Sequence, residues 1–304
     1  MEFLGNGVSW FLNRYRVRLL IRAAGRCGEI LRYAIVWPRR MHRFHIVSTQ
    51  RNMGDAVLRC LQSVHNQRYP KELVTHCVID DASTDGTRDK IDTWLADHPD
   101  HRVDLVARET RRGGTFNTIV GLRRASDDAI VIELNGDDWL PDAGVLAFLN
   151  KVYQSPEVWM TYNTLRQSDG TITIQLPPPP SVRRDRSYRR APWSTSHLHS
   201  FRRPLFDHVP DDEFIDEATG DLLESADDVA LYLRMLELAG EHAVHIWRIT
   251  CVYNFHDQTE HRLDRTGQLE REERIRSRPV SSPLPSLNFE DRDPTTHTNQ
   301  IGRV

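Results

Sequence analysis

Three short acidic stretches carry residue types and spacings that could do chemistry. The heaviest is Asn135-Gly136-Asp137-Asp138-Trp139-Leu140-Pro141-Asp142, which follows the apolar run Ala129-Ile130-Val131-Ile132. A buried strand that ends in adjacent carboxylates over an Asn-Gly turn puts hard oxygen ligands at the carboxyl edge of a sheet. Open α/β sheets bind ligands at that edge. Carboxylate oxygens suit Mg²⁺ or Mn²⁺, and such ions usually come with phosphates.

The second stretch is Val78-Ile79-Asp80-Asp81-Ala82-Ser83-Thr84-Asp85-Gly86-Thr87. Ser83, Thr84 and Asp85 are turn and cap residues. That role does not need Asp80 and Asp81 together, and paired carboxylates can accept hydrogen bonds from a nucleobase N–H or ribose hydroxyls. The third is Ser225-Ala226-Asp227-Asp228-Val229, at the head of an apolar-rich segment that ends in Gly240. Carboxylates there read as a helix cap and a first-turn acid, whose ionised form the helix dipole favours.

The elements that must position these residues alternate. Strands are expected at Phe44–Ser48, Leu73–Ile79, Val103–Ala107, Ala129–Leu134 and Val158–Asn163. Helical spacing runs over Gly54–Gln67, from Gly86 to about Asp97, from Gly113-Gly114 to Ala125, and over Asp142–Gln154. This alternation predicts a mostly parallel sheet wrapped by helices. Beyond residue 163 a hairpin is expected at Ser168–Thr171, a mobile basic loop at Arg183–Arg190 after Pro177–Pro180, a helix at Asp227–Ala239 and one strand at Val244–Tyr253. The polar, Pro/Ser/Thr-rich stretch beyond Arg276 predicts a disordered tail.

Bulk properties narrow the classes. The 304 residues carry a formal net charge of -3, which does not mark the chain as a nucleic-acid binder. Cys27, Cys60, Cys77 and Cys251 form no C-x-x-C pair; Cys60 and Cys77 lie in apolar-periodic segments and read as core residues, which suits a reducing, cytoplasmic setting. No apolar run is long enough to span a bilayer, and the arginine-broken N-terminus lacks a signal-peptide pattern. Residues 1–43 hold nine arginines against two glutamates, with Arg14, Arg18, Arg22 and Arg26 at helical spacing. This basic amphipathic helix has two open readings: peripheral contact with an anionic membrane, or a helix packed on the domain with a solvated arginine face.

Taken together, Ile79-Asp80-Asp81-Ala82-Ser83-Thr84-Asp85-Gly86-Thr87 and, some fifty residues on, Asn135-Gly136-Asp137-Asp138-Trp139-Leu140-Pro141 resemble a family 2 glycosyltransferase of the GT-A fold. The resemblance runs from about Phe44 to His256. It implies an α/β, mostly parallel central sheet flanked by helices, a nucleotide-binding α/β/α sandwich with an acceptor-side extension. Residues 44–163 would be the nucleotide-sugar half, 164–256 the acceptor half, and 257–304 a C-terminal helix and tail.

The resemblance also implies roles. Asp80 and Asp81 would hold the nucleotide base and ribose. Arg112 or Arg111, in a glycine-containing loop that lets backbone approach a ligand, would pair with the diphosphate. The family's Asp-x-Asp metal motif falls on Asn135, Gly136 and Asp137; Asn135 departs from the pattern, leaving Asp137 to meet Mn²⁺ or Mg²⁺. His256 follows the last strand, where some relatives place a metal or phosphate ligand. Asp228, with Leu231 and Arg234 three and six residues later, fits the family's base-bearing helix, although Asp227 stands where Glu is usual. His197, His199, Trp139 and Asp227 are candidates for the acceptor side.

The implied reaction moves a sugar from a UDP- or GDP-linked donor to a hydroxyl of a glycan, lipid-linked or protein acceptor with inversion, without nucleic acid as partner. The alternative is a non-catalytic sugar-nucleotide or glycan-binding protein of the same fold. A nucleotidyltransferase is disfavoured because Gln50-Arg51-Asn52-Met53-Gly54 is not a glycine-rich phosphate loop.

Overall fold

A computed structural model describes residues 40–174, 176–193, 195–255 and 265–289. The amino-terminal helix expected over residues 1–43 falls almost wholly outside them, as does His256.

The first half alternates as its hydrophobic periods require. Strand β1 (Arg43–Gln50) leads to helix α1 (Ala56–His65), β2 (Val74–Asp80) to α2 (Thr87–Asp97), β3 (Val103–Ala107) to α3 (Gly114–Arg123), and β4 (Ala129–Glu133) to α4 (Val145–Val152). Then come β5 (Met160–Asn163) and a small hairpin of β6 (Leu165–Gln167) and β7 (Ile172–Thr173). Short helices α5 (Pro180–Arg184) and α6 (Arg203–Phe206) flank β8 (Ser196–Arg202). Helix α7 (Asp227–Ala239), β9 (Ala243–Ile246), β10 (Val252–Tyr253) and α8 (Arg265–Ser277) complete the described chain.

The main sheet has the order β3-β2-β1-β4-β8-β5-β9. Only β8 runs against the other six strands, being antiparallel to both β4 and β5. The ends of β1, β2, β4 and β5 and the start of β8 therefore share one edge. Side chains alternate across the sheet. Val47, Val131, Met160 and Phe201 face one core with α7, whereas Phe44, Ile46, Ile130 and Ile132 face the other with α1 and α4. Cys60, Cys77 and Cys251 are buried free thiols, as core residues should be. Among the described residues no helix is long and apolar enough to cross a membrane.

Three expectations need correction. Val244–Tyr253 is not one strand: β9 closes the main sheet, whereas β10 crosses to a second sheet, pairing with β6. In the connection between them Arg248 is bonded to Asp142 (2.7 Å). Arg183–Arg190 is not a loose loop either. Tyr188 and Arg189 are buried, because the Arg189 guanidinium finds Glu237 (2.5 Å) and Glu213 (3.3 Å) inside the protein. Nor do residues 277–289 drift away. Arg278 joins the same cluster by bonding the Glu213 carbonyl (2.6 Å), the Leu284 amide bonds the Leu238 carbonyl (2.9 Å), and Leu287 is buried. Composition failed here because the partners are buried acids far away in sequence.

Candidate functional site

At the end of β2, Asp80 and Asp81 are both buried. The Asp80 carboxylate accepts the Ser83 amide (3.2 Å) and the Ser83 hydroxyl, fastening the loop three residues on. Asp81 accepts the amides of Arg112 (2.7 Å) and Gly113 (2.9 Å). The acidic loop and the glycine-containing loop are thus one unit. The Arg112 guanidinium lies over the Phe116 ring, 4.3 Å from its centroid. Each carboxylate keeps lone pairs beyond those bonds, because an ionised carboxylate offers about four acceptor sites.

The turn after β4 is pressed onto β1. Leu134 and Gly136 donate to the Val47 (2.9 Å) and Thr49 (3.1 Å) carbonyls. A Cβ on residue 136 would stand 2.5 Å from Gln50 Oε1 and 2.6 Å from Gln50 Cβ, so only glycine fits. Gln50 itself is buried, and neither polar atom of its carboxamide has a protein partner. Asn135 and Asp137 are half-buried; the Asn135 carbonyl accepts the Asp138 amide (3.0 Å).

Asp138 is only 1% exposed. Its Oδ1 accepts the Asn254 amide (2.8 Å), whereas Oδ2 has no protein partner. Burial, with the Asp137 charge beside it, pushes the Asp138 carboxyl well above its ordinary range against the pull of the Asn254 amide. Trp139 forms a bridge with Val252 and lies under Arg59, so it ties β10 to this turn.

Across the edge, α7 begins with half-buried Asp227 and Asp228. No side chain caps the helix; Ala226 stands at that position with a left-handed φ of 63°. Asp228 instead accepts the Val229 amide (2.8 Å). Burial raises its pKa, and His197 opposes that rise. His197 is lowered by burial and raised by the charges of Asp228 and Asp137. Its ring lies parallel to that of Tyr253, 5.7 Å between centroids, and Tyr253 in turn feels Asp138, Asp137 and Asp228. Asp137, Asp138, His197, Asp228 and Tyr253 therefore form one electrostatic cluster. Asp80 and Asp81 lie two strands away, about 10 Å at ~4.8 Å per strand, with Gln50 on the strand between.

His199 is not at the edge. Two residues further along β8, it is buried beneath His197 and stacked on Tyr232 at 3.4 Å. Strand alternation explains both facts, since residues i and i+2 share a face but lie at successive depths. His256 lies outside the described residues, and among the described residues no three His, Cys, Asp or Glu side chains converge as a metal-ligand set. A cavity of about 330 Å³ opens at the opposite edge of the sheet, but its Arg43 and Arg124 are already paired with Asp128 and Asp104.

Several contributors escape a reading by motif. Gln50 gave one signal, a polar residue closing an apolar strand. The depth of Asp138 and the meeting of Tyr232 with Glu133 gave none, because each depends on chain more than ninety residues away.

Residues 45–209 match the model of Glycosyl transferase family 2, and the chain belongs to that family. The architecture is that of the GT-A fold, and solved structures agree. A mannosyltransferase, PcManGT from Pyrobaculum calidifontis, in complex with GDP-Man and Mn²⁺, superposes with a TM-score of 0.58 at 20% identity, over 90% of this chain and 76% of that one. TarS 1-349 of S. aureus in complex with UDP-GlcNAc gives 0.55 at 17% identity, over 73% of this chain and 60% of that one. The chain thus spans less than two thirds of the TarS fragment. No curated protein sequence matches it.

Proposed function

We propose that the protein transfers a sugar from a nucleoside-diphosphate donor to an acceptor hydroxyl with inversion at the anomeric carbon. The observation that carries this reading is the cluster of Asp137, Asp138, His197 and Asp228 at the sheet edge that also holds Asp80 and Asp81. Asp80 and Asp81 receive the base and ribose, with Gln50 supplying its unpartnered carboxamide between them and the acidic turn. Arg112 and the amides of its loop lie on the diphosphate side.

Asp137 and Asp138 fit a hard divalent cation, Mn²⁺ or Mg²⁺. They are adjacent, and a buried carboxylate oxygen without a partner is the kind of group a cation satisfies. His256 is a further candidate ligand. Asn135 adds a hydrogen-bonding group there rather than a charge. Such a cation would neutralise charge on the departing nucleoside diphosphate.

Asp228 takes the acceptor proton as the glycosidic bond forms. Its raised pKa suits that task, since a base works best when its pKa approaches the operating pH. Attack from the Asp228 side, opposite the leaving diphosphate, is a single displacement and inverts the anomeric centre. His197, Asp227 and Trp139 line the acceptor side. The donor classes named for PcManGT and TarS support a UDP- or GDP-linked sugar here.

The test is a thermal-shift screen of nucleoside diphosphates and nucleotide sugars with and without Mn²⁺, followed by release of nucleoside diphosphate. A ligand at 100 times its Kd should stabilise the chain by about 2.7 kcal/mol. Mn²⁺-enhanced shifts followed by turnover support the reading. Shifts without turnover on any acceptor favour a sugar-nucleotide-binding protein, and no shift with any nucleotide sinks both.

A further inference from the structure

Glu133 occupies a position that should be apolar. It ends β4 on the same face as Val131, toward the core that α7 covers. It is 8% exposed, and one hydrogen bond serves its carboxylate: Oε2 accepts the hydroxyl of fully buried Tyr232. Both residues are one short step from the reacting groups. Glu133 precedes Asp137 by four residues, at the end of the strand that leads into that turn. Tyr232 follows Asp228 by four residues on α7, so the two share a helix face one turn apart. His199 completes the contact. It stands directly opposite Glu133 in the β4–β8 register, so their side chains share a sheet face, and its ring is stacked on Tyr232 at 14°.

Three elements therefore meet at one point beneath the cluster. β4 leads into the turn of Asp137, β8 carries His197, and α7 carries Asp228. We propose that Glu133, Tyr232 and His199 form a positioning strut that fixes Asp228 relative to the Asp137 turn for transfer. This rests on the proposed glycosyl transfer. An apolar pair at these positions would pack without desolvating a carboxylate, and replacing buried polar partners by apolar groups of similar shape is often neutral or stabilising. What the polar pair adds is a directional link between strand and helix. The groups facing Glu133 are Tyr232 and Asp228 from α7 and His199 from β8, while β1 presents only Val47.

The test uses the full chain and four variants beside wild type: Tyr232→Phe, Glu133→Gln, the double Glu133→Leu/Tyr232→Phe, and Asp228→Asn. Tyr232→Phe should lower kcat by about tenfold to a hundredfold, as small misplacements of reacting groups do, with the donor KM little changed. Glu133→Gln keeps an acceptor for the tyrosine hydroxyl and should retain most of kcat. The double variant should melt at or above the wild-type temperature yet keep the low kcat. If it regains both stability and kcat, the pair is structural and the strut is refuted. If transfer is lost in Asp228→Asn but unaffected by Tyr232→Phe, the strut alone falls. If wild type transfers no sugar, the functional reading fails first and the strut with it.

Discussion

The two edges of the site hold their carboxylates by different means. On the side proposed for the nucleotide, buried Asp80 and Asp81 each accept two donors, from Ser83 and from the amides of Arg112 and Gly113. Around the Asp137 turn and the start of α7, buried Glu133 and Asp138 each accept one, from partners 99 and 116 residues away, and half-buried Asp228 lies in the field of His197. Amide clamps aim a carboxylate and leave it ready to accept hydrogen bonds. Burial met by fewer donors raises the pKa and readies a carboxylate to exchange a proton or meet a cation. Under the proposed function, recognition and reaction thus draw on different treatments of one functional group.

Substituting across that divide should give opposite kinetic signatures. Asp228→Asn should cut kcat by about 10²–10⁴-fold, the usual worth of a general base, while donor KM holds. Asp81→Asn should instead raise donor KM, because it weakens both the clamp and the acceptor. Steady-state kinetics on both variants would settle it, and a kcat loss of equal size from Asp81→Asn would erase the distinction.

The same divide extends to stability. Arg189, Arg234 and Arg278 meet Glu213 and Glu237 in the second half of the chain, nearly out of water. Glu237→Ala leaves guanidinium groups buried beside a missing partner and should cost about 3–5 kcal/mol by urea unfolding. The exposed Lys90–Asp55 pair of the first half (2.6 Å) should cost no more than about 1 kcal/mol when broken by Asp55→Ala. Equal costs would mean the buried network relaxes into water.

These two treatments also explain what was legible in the sequence. The first half could be read because its signals are local. Strand alternation, helix spacing and the Asp80–Thr87 turn each operate over a few residues, and β1 to β4 lie where the periodicity puts them. In the second half, Arg189 looks like a loop arginine until Glu237 is folded against it. Residues 277–289 look disordered until the Glu213 carbonyl receives Arg278. Asp137 and Asp228 stood out through the resemblance to the family's motifs. His199 could be a candidate for the acceptor side because strand depth is invisible without the β4–β8 register.

Titration offers a gentler probe. Burial pushes the Glu133 carboxyl up to about 7 from 4.5, with Asp228 adding to the rise and the Tyr232 hydroxyl opposing it. His42 is lowered to about 4 from 6.5, chiefly by burial and by Arg202, while its Nε2 bonds the Tyr153 carbonyl (3.0 Å). The signs are opposite. Between pH 4.5 and 7 the folded state holds the Glu133 proton that the unfolded chain releases, so that contribution is lost as pH rises. For His42 the unfolded chain binds the proton between pH 6.5 and 4, so stability falls as pH drops. Glu133→Gln should remove only the alkaline loss. Its melting temperature relative to wild type should rise from pH 5 to pH 8, by roughly 1–3 kcal/mol in stability at ~1.4 kcal/mol per pKa unit. A difference that stays flat over that range would show that Glu133 does not carry a buried proton.

The most local effect tests where the two treatments meet, at Gly136. Here the acidic turn after β4 lies on Thr49 and Gln50 of β1. A Cβ would meet Gln50 Oε1 at 2.5 Å, Gln50 Cβ at 2.6 Å and the Thr49 carbonyl at 3.1 Å. The carboxamide can swing away; the Cβ and the carbonyl belong to a paired strand and cannot. Gly136→Ala should therefore cost about 1–2 kcal/mol, within the usual range for overpacking, and should weaken Mn²⁺-dependent nucleoside-diphosphate binding as the turn lifts off β1. Adding Gln50→Ala removes only the movable contact, so it should restore part of the stability and none of the binding. Full recovery of both by Gln50→Ala would mean that the side chain, rather than the close approach of turn and strand, sets the spacing between nucleotide and metal.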